Sequence, residues 1–209
     1  MITIEKAINK EVQSAITPSD AINLLKEGNK RFLASKHVGR NYLEQVQDTS
    51  NGQFPFAAIV SCIDSRVPAE IVFDLGIGDI FNVRIAGNFI NQDILGSLEF
   101  ACKVAGSKAI VVMGHTSCGA VKGACDQVEL GNLTYMLEKI KPAVDAVSES
   151  GDRTSKNKEF VQKVALKNVE LSVDNIMKNS PVLNEMFENG EIEIIGAMYD
   201  VASGEVRFM

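Results

Sequence analysis

The chain has 209 residues, of which 45% are hydrophobic and 23% are charged, and its formal net charge at pH 7 is −6. This length and composition are typical of a globular protein, and we expect one domain over residues 1–209. The acidic balance without a basic stripe argues against a nucleic-acid partner, and no apolar run is long enough to cross a membrane.

The first part of the chain, residues 1–36, predicts a helical arm. Its clearest signal is a helix start at Thr17, Pro18 and Asp20. Thr17 is a typical N-cap, proline is favoured in the first turn, and an acidic side chain there complements the helix dipole. Apolar residues at helical spacing carry this helix to Phe32.

Two further segments flank this helix. Residues 2–16 are amphipathic, and we expect them to lie over a neighbouring subunit. Residues 38–55 are polar, and we predict a loop there that leads to the next part of the chain.

Residues 54–209 predict an α/β core. The predicted strands are short and apolar and cover residues 56–61, 80–85, 108–113, 191–199 and 205–208. The predicted helices cover about 68–75, 93–104, 132–149 and 155–179, and one more begins near residue 117. Because such strands alternating with helices are typical of a sheet covered on both faces, we predict a mostly parallel central sheet flanked by helices. The last two strands predict an antiparallel edge at the C-terminal end.

Three side chains at strand ends predict a metal site. Cys62 ends the first strand, and His115 and Cys118 follow the third. Ligands of open parallel sheets collect at the carboxyl ends of strands, so these side chains can meet. Two thiolates and one imidazole are three of the four ligands of tetrahedral Zn²⁺, and three protein ligands are typical of a catalytic site. The alternative, two structural cysteines and a hydrogen-bonded histidine, is less favoured because the chain has only two histidines.

The other cysteines and the other histidine carry less chemistry. Cys102 and Cys125 lie at apolar positions of predicted helices and are interpreted as inert core thiols. His37 lies in a polar segment and is interpreted as a solvated surface residue. Four unevenly spaced cysteines do not form a disulfide framework, and the N-terminus lacks a secretory apolar segment. We therefore predict a cytoplasmic protein.

Asp64 and Arg66 follow Cys62 by two and four positions. A carboxylate so near a metal thiolate can bind the metal, or it can be held away from the metal by a bidentate arginine. The pair thus predicts a switch, in which Asp64 on the metal closes the site and Asp64 on Arg66 opens it. The alternative is a surface ion pair, which would contribute little.

Motifs along nearly the whole chain resemble the β-class carbonic anhydrases. The most specific are Cys-Ile-Asp-Ser-Arg at residues 62–66, Gly-Asp-Ile-Phe-Asn-Val-Arg at 78–84 and Gly-His-Thr-Ser-Cys-Gly at 114–119. The resemblance implies that Cys62, His115 and Cys118 bind Zn²⁺ and that Asp64 and Arg66 form the catalytic dyad.

The resemblance also implies a substrate pocket. Gln53 matches a glutamine that hydrogen-bonds the substrate, and the backbone N–H of Gly119 matches a substrate-contacting donor. Phe81 and Phe100 match apolar pocket positions, and the family supplies the second from a partner subunit. Phe100 departs from plant-type members, which carry a tyrosine there, so one hydroxyl is missing. A homodimer or homotetramer is therefore expected.

The implied reaction is the reversible hydration of carbon dioxide to bicarbonate and a proton by zinc-bound hydroxide. A close alternative is the hydrolysis of carbonyl sulfide or carbon disulfide, which relatives perform with the same ligands. A more distant alternative is a non-catalytic scaffold whose zinc site Asp64 closes permanently. The intact dyad and Gln53 argue against the scaffold.

Some bacterial members of the family are closed by bicarbonate, bound in a pocket of a tryptophan, an arginine and a tyrosine. This chain has Arg84 and Tyr199 at the matching positions but no tryptophan, and Ile59 occupies the tryptophan's place. An apolar side chain there removes an anion donor and makes burial of bicarbonate costly. We therefore expect the resting site to be open, without cooperative inhibition by bicarbonate.

Overall fold

A five-stranded sheet forms the centre of the protein in a computed structural model that describes residues 6–209. The strands are β1 (Ala57–Ser61), β2 (Ile80–Arg84), β3 (Ala109–His115), β4 (Glu193–Tyr199) and β5 (Val206–Phe208). Their order is β2-β1-β3-β4-β5. The first four strands run parallel, and β5 pairs antiparallel with β4. The predicted α/β fold with an antiparallel C-terminal edge is thus confirmed.

Helices cover both faces of this sheet. They are α1 (Lys10–Ala15), α2 (Pro18–Leu33), α3 (Tyr42–Thr49), α4 (Ala69–Val72), α5 (Gln92–Glu99), α6 (Gly119–Cys125), α7 (Gly131–Glu138), α8 (Lys141–Ala146), α9 (Lys158–Asn179) and α10 (Pro181–Glu188). A π-helical turn, Phe100–Val104, extends α5. Among residues 6–209, no helix is both long and apolar enough to span a membrane.

Alternate residues of the central strands bury their side chains on opposite faces of the sheet. Ala58 and Val60 of β1 belong to an apolar cluster with α5 to α10, whereas Ala57 and Ile59 belong to a second cluster with α2 and α4. All residues of β1 and β3 are buried. This two-sided burial explains why both strands are continuously apolar, since neither face meets solvent.

The N-terminal helices pack on their own chain. At the start of α2, Asp20 N–H donates to Thr17 Oγ1 (3.2 Å) and Thr17 N–H donates to Asp20 Oδ2 (3.1 Å), which confirms the predicted cap. In α1, the buried Gln13 amide donates to the carbonyls of Pro55 (2.8 Å) and Ala105 (2.9 Å). Residues 2–5 of the predicted amphipathic segment lie outside the described residues.

The helices of the structure differ from the predicted ones in three places. The predicted loop at 38–55 contains α3, which Asn41 caps and whose buried Gln45 accepts a hydrogen bond from Ile77 N–H (3.0 Å). The predicted helix at 132–149 is two helices, because Pro142 starts a new one. After α9, Ser180 caps a further helix, α10, that was not predicted. In each case a local cap or a tertiary contact, which apolar periodicity does not report, decides the structure.

Candidate metal centre

Cys62, His115 and Cys118 meet at the carboxyl end of the parallel strands. Their ligand atoms lie within 4.8 Å of one another, and all three residues are buried. Cys62 follows β1, His115 is the last residue of the neighbouring β3, and Cys118 directly precedes α6. The chain brings Cys118 back towards His115 in a two-residue turn in which Ser117 adopts a left-handed conformation (φ 57°). Such conformations in non-glycine residues are costly and cluster at functional sites.

Hydrogen bonds fix the imidazole of His115. Its Nδ1 lies 3.0 Å from the carbonyl oxygen of Thr116, which only accepts, so Nδ1 carries the proton. Thr116 is held in turn, because its Oγ1 accepts from Val201 N–H (3.0 Å) and lies 3.4 Å from Asp200 Oδ1. His115 Nε2 is buried and has no hydrogen-bond partner among residues 6–209. Its lone pair is therefore free for a metal ion.

The two sulfurs form a site for a cation. Cys62 Sγ and Cys118 Sγ are 3.9 Å apart. The hydrogen bond between them lowers the pKa of the Cys62 thiol, whereas that bond and burial raise the pKa of the Cys118 thiol. A metal ion would displace the thiol protons, since thiols lose their protons on binding metal. Two sulfurs and a free imidazole nitrogen fit a tetrahedral metal ion.

Asp64 lies beside these ligands but faces Arg66. Arg66 Nε donates to Asp64 Oδ1 (2.9 Å) and Arg66 Nη2 to Asp64 Oδ2 (2.7 Å), a bidentate pair. These hydrogen bonds hold the pKa of Asp64 well below its usual range. Asp64 Oδ2 is only 3.9 Å from His115 Nε2. The carboxylate thus needs only a short movement to leave Arg66 for the metal position.

Two more contacts shape the mouth of the site. The Arg84 guanidinium donates to the carbonyls of Cys62 (3.1 Å) and Asp64 (2.6 Å), so it fixes the loop between β1 and the dyad. Gly119 begins α6, and no other side chain lies within 4 Å of where its Cβ would be. Its N–H belongs to the first turn of a helix, where amides lack intrahelical partners. An open space beside a first-turn N–H suits a small polar ligand.

The remaining predicted pocket residues lie at the other end of the sheet. Phe81 pairs with Ala58 in the sheet register, and the ring of Phe100 lies edge-on to Phe81 with centroids 6.0 Å apart. Ala58 is four residues before Cys62, or about 13 Å along a strand. Gln53 precedes β1 and is exposed. The structure therefore does not bring these three residues to the sulfurs of their own chain.

The other cysteines are buried, and the His37 side chain makes contacts with its own chain that were not predicted. Burial raises the pKa of Cys102 to about 12 and that of Cys125 to about 11, as expected of inert thiols. The interpretation of His37 as simply solvated was incomplete. Its half-exposed ring packs edge-on against Phe32, and its Nδ1 is 3.7 Å from Asp74 Oδ1.

Sequence reasoning missed the residues that support the metal ligands. Gly87 N–H donates to Cys62 Sγ (3.4 Å), and the Asn168 amide donates to the carbonyl of Gly87 (2.7 Å). On the other side of the site, the Thr116 carbonyl accepts a hydrogen bond from His115 Nδ1, and the Thr116 hydroxyl donates to Asp200. Only the Gly87-Asn88 dipeptide after β2 carried a signal, because glycine and asparagine mark left-handed turns, and both have positive φ here. No sequence signal marked Asn168 as a supporting residue, because it lies inside a helix.

Comparison with known proteins assigns a family to this architecture. The carbonic anhydrase family matches residues 57–206. Carbonic anhydrase 2 of Mycobacterium tuberculosis is 37% identical over 194 residues, which cover 90% of each chain. A crystallised β-carbonic anhydrase of Aspergillus fumigatus is 28% identical with a TM-score of 0.68, covering 91% of this chain and 89% of its own. A tetrameric β-carbonic anhydrase of Sordaria macrospora is 25% identical with a TM-score of 0.68, covering 78% and 84%.

Proposed function

This chain belongs to the β-carbonic anhydrase family, and we propose that Cys62, His115 and Cys118 hold the zinc ion with which it hydrates carbon dioxide. The observation that carries the proposal is the donor set itself. Two buried sulfurs lie 3.9 Å apart, and they lie beside an imidazole whose Nε2 has no hydrogen-bond partner among the described residues. When bound at such a site, zinc makes water a nucleophile near neutral pH.

The roles of Asp64 and Arg66 follow from their geometry. Two guanidinium hydrogen bonds keep Asp64 ionised, so its oxygens act only as acceptors. An acceptor beside the ligands can take a hydrogen bond from water at the site and so direct a lone pair of that water at the carbon of carbon dioxide. Arg66 holds Asp64 off the metal position and keeps space for the substrate. The backbone N–H of Gly119 is proposed to donate to a substrate oxygen.

We propose that a second copy of the chain completes the site. Phe81 and Phe100 lie together near the amino end of β2, away from the sulfurs of their own chain, and Gln53 lies four residues before β1. β2 is one of the two edge strands of the sheet, and Phe100 is half-exposed (51%). An edge strand and an exposed ring are the features of a surface that a partner covers. The proposed assembly is thus at least a homodimer, and a homotetramer is compatible with it.

Stopped-flow carbon dioxide hydration from pH 6 to 9, with zinc content measured on the same sample, tests the function. The wild type is expected to hold about one zinc per chain and to gain activity as pH rises. Cys118→Ala should lose tightly held zinc and activity together, while the matched variant Cys125→Ala, another buried cysteine, should keep both. Full zinc in Cys118→Ala would overturn the ligand assignment, and a zinc-loaded wild type without hydration activity would overturn the reaction.

Light scattering at micromolar concentration tests the assembly, and active heterodimers sharpen that test. A protomer that carries Cys62→Ala should complement one that carries Phe100→Asp, because one intact site would then form across the interface. A monomeric mass with full activity would contradict the proposal.

The cysteines support a proposed location as well as a ligand role. All four are free thiols. Free thiols persist in reducing compartments, so we propose that the protein works in the cytoplasm.

A further inference from the structure

A chain of two hydrogen bonds joins helix α9 to one of the metal ligands. The Asn168 side-chain amide donates to the Gly87 carbonyl (2.7 Å), and the Gly87 N–H donates to Cys62 Sγ (3.4 Å). We propose that Asn168 is a positioning residue that holds the Gly87 N–H on the Cys62 sulfur and thereby sets how strongly this sulfur donates charge to the metal. The inference rests on the proposed function.

Asn168 has no other evident task in its surroundings. It lies in the middle of α9, is only 4% exposed, and shares the buried face of this helix mostly with apolar residues, among them Val164 and Val169. A buried amide in such a place costs free energy unless it is hydrogen-bonded. The Asn168 amide donates a hydrogen bond to the carbonyl of Gly87, which is 81 positions away in sequence. The polar side chain is therefore directed at the segment beside the metal site.

The backbone at Gly87 explains why that segment needs support. Gly87 adopts a left-handed conformation (φ 81°), and a Cβ there would lie 2.4 Å from Ile140 Cδ1. Only glycine brings the chain this close, but glycine also leaves it the most conformational freedom. A hydrogen bond from a rigid helix removes that freedom and fixes the direction of the Gly87 N–H.

The two sulfurs differ in the origin of their N–H donors. The backbone N–H groups that act to lower the pKa of the Cys118 thiol are those of Ala120 and Val121, so they come with the helix that Cys118 itself precedes. The backbone N–H of Asp64, in the same loop, also acts to lower the pKa of the Cys62 thiol, but the N–H that donates a hydrogen bond to Cys62 Sγ is that of Gly87, which follows another strand. Only tertiary structure can supply the Gly87 donor, and Asn168 holds it in place.

Charge on the ligands gives this contact a chemical effect. Two thiolates cancel the +2 charge of zinc, so the ion polarises bound groups less than it would with three neutral ligands. A hydrogen bond to a thiolate withdraws part of its charge, which leaves more positive charge on the metal. Loss of the Asn168 amide should free residue 87, weaken the N–H···S bond and make Cys62 a stronger but less oriented donor.

Replacing zinc by cobalt gives an absorption signal from the metal–sulfur bond that does not depend on catalytic activity. The cobalt-loaded Asn168→Leu variant should show a shifted sulfur-to-cobalt charge-transfer band. Chelator competition should show zinc bound about 10- to 100-fold more weakly than in the wild type, as is typical when an outer contact of a metal ligand is lost. Asn168→Ala gives the same readouts should the leucine variant fail to fold.

Asn29→Leu is the matched control. Asn29 is also a buried asparagine (4% exposed), and its amide donates to the carbonyls of Val72 (3.1 Å) and Gly204 (2.9 Å) while its Oδ1 accepts from Val206 N–H (2.9 Å). Asn29→Leu removes these three hydrogen bonds, whereas Asn168→Leu removes the one to Gly87. If metal affinity simply followed stability, the control would show the larger effect.

The outcomes are distinct. A shifted band and weakened zinc binding in Asn168→Leu, with neither in Asn29→Leu, would support the inference. The wild-type band and affinity in the Asn168 variants, or equal changes in the control, would overturn it while the metal site stands. A wild type that binds neither cobalt nor zinc would overturn the proposed function itself and the inference with it.

Discussion

The protein contains two aspartate–arginine sites, and they are built in opposite ways. Asp64 at the metal centre has one cationic partner, Arg66, which is half-exposed (50%). Asp74, between α4 and β2, is buried (3% exposed) between Arg31 and Arg40, of which Arg40 is itself only 1% exposed. The same residue types therefore form a pair that can open and a pair that cannot.

The number of contacts explains the difference. Asp74 accepts from Arg31 Nε (2.6 Å), Arg40 Nη1 (2.8 Å) and Val38 N–H (3.3 Å), so no single movement frees it. Among residues 6–209, the carboxylate of Asp64 accepts hydrogen bonds only from Arg66, through its guanidinium and its N–H. An exposed pair is screened by solvent and contributes little stability, whereas breaking a buried pair leaves an unpaired charge. The exposed pair at Asp64 is therefore suited to a switch, and the buried pair at Asp74 is suited to a structural anchor.

Arg40→Ala should produce the largest effect in this comparison. It leaves the Asp74 carboxylate buried with less compensation, so the free energy of unfolding should fall by about 3–5 kcal/mol. Arg31 is more exposed (22%), so Arg31→Ala should cost less. Urea unfolding monitored by circular dichroism measures both, and a loss below about 1 kcal/mol in Arg40→Ala would show that the site is no anchor.

The pH dependence of stability should report Asp79, which lies close to this anchor. Asp79 is fully buried, Arg40 and Asp74 act on it with opposite signs, and burial raises its pKa from 3.8 to about 6. Because the folded state then binds the proton more tightly, the stabilisation is complete below pH 3.8 and is lost as pH rises through about 6.

Asp79→Asn should remove this dependence. The difference in unfolding free energy between wild type and variant should change by up to ~3 kcal/mol between about pH 4 and 7, at 1.36 kcal/mol per unit. Subtracting the variant's profile removes the contribution of all other groups. A flat difference across this range would mean that Asp79 titrates alike in the folded and unfolded states.

Arg66→Ala tests the pair that can open. Without Arg66, Asp64 is free to bind the metal, so hydration should fall by about 100-fold, the upper range for loss of an outer contact, while zinc content stays complete. Stability should change by less than about 1 kcal/mol. Arg207→Ala is the control, because Arg207 makes a similar exposed pair with Glu205. Retained hydration in Arg66→Ala would contradict the switch.

Bicarbonate should have the smallest effect. The Arg84 guanidinium is engaged with the loop that carries Asp64, and Ile59 is buried. We therefore expect product inhibition to follow a simple hyperbola, measured as initial hydration rates against bicarbonate concentration. Sigmoidal inhibition would show that an anion closes the site despite the missing tryptophan.

Much of the fold, and the meeting of Cys62, His115 and Cys118 in one cluster, could be predicted from the sequence. Continuous apolar strands between helices predicted the parallel sheet, because burial on both faces leaves that pattern in consecutive residues. Cys62, His115 and Cys118 were predicted as ligands because parallel strands gather their carboxyl ends at one edge. Both inferences use short-range patterns together with a general rule of topology.

The tertiary structure alone decided how those ligands are supported and where the pocket residues lie. Asn168 and Gly87, or Arg31 and Asp74, are far apart in sequence and meet through single polar contacts, which leave no periodic pattern. Phe81 and Phe100 carried apolar character in the sequence but no indication that they lie a strand's length from Cys62. Apolar burial repeats along a helix or strand and can be predicted from sequence, whereas a directional hydrogen bond between distant residues depends on the folded backbone that positions both groups.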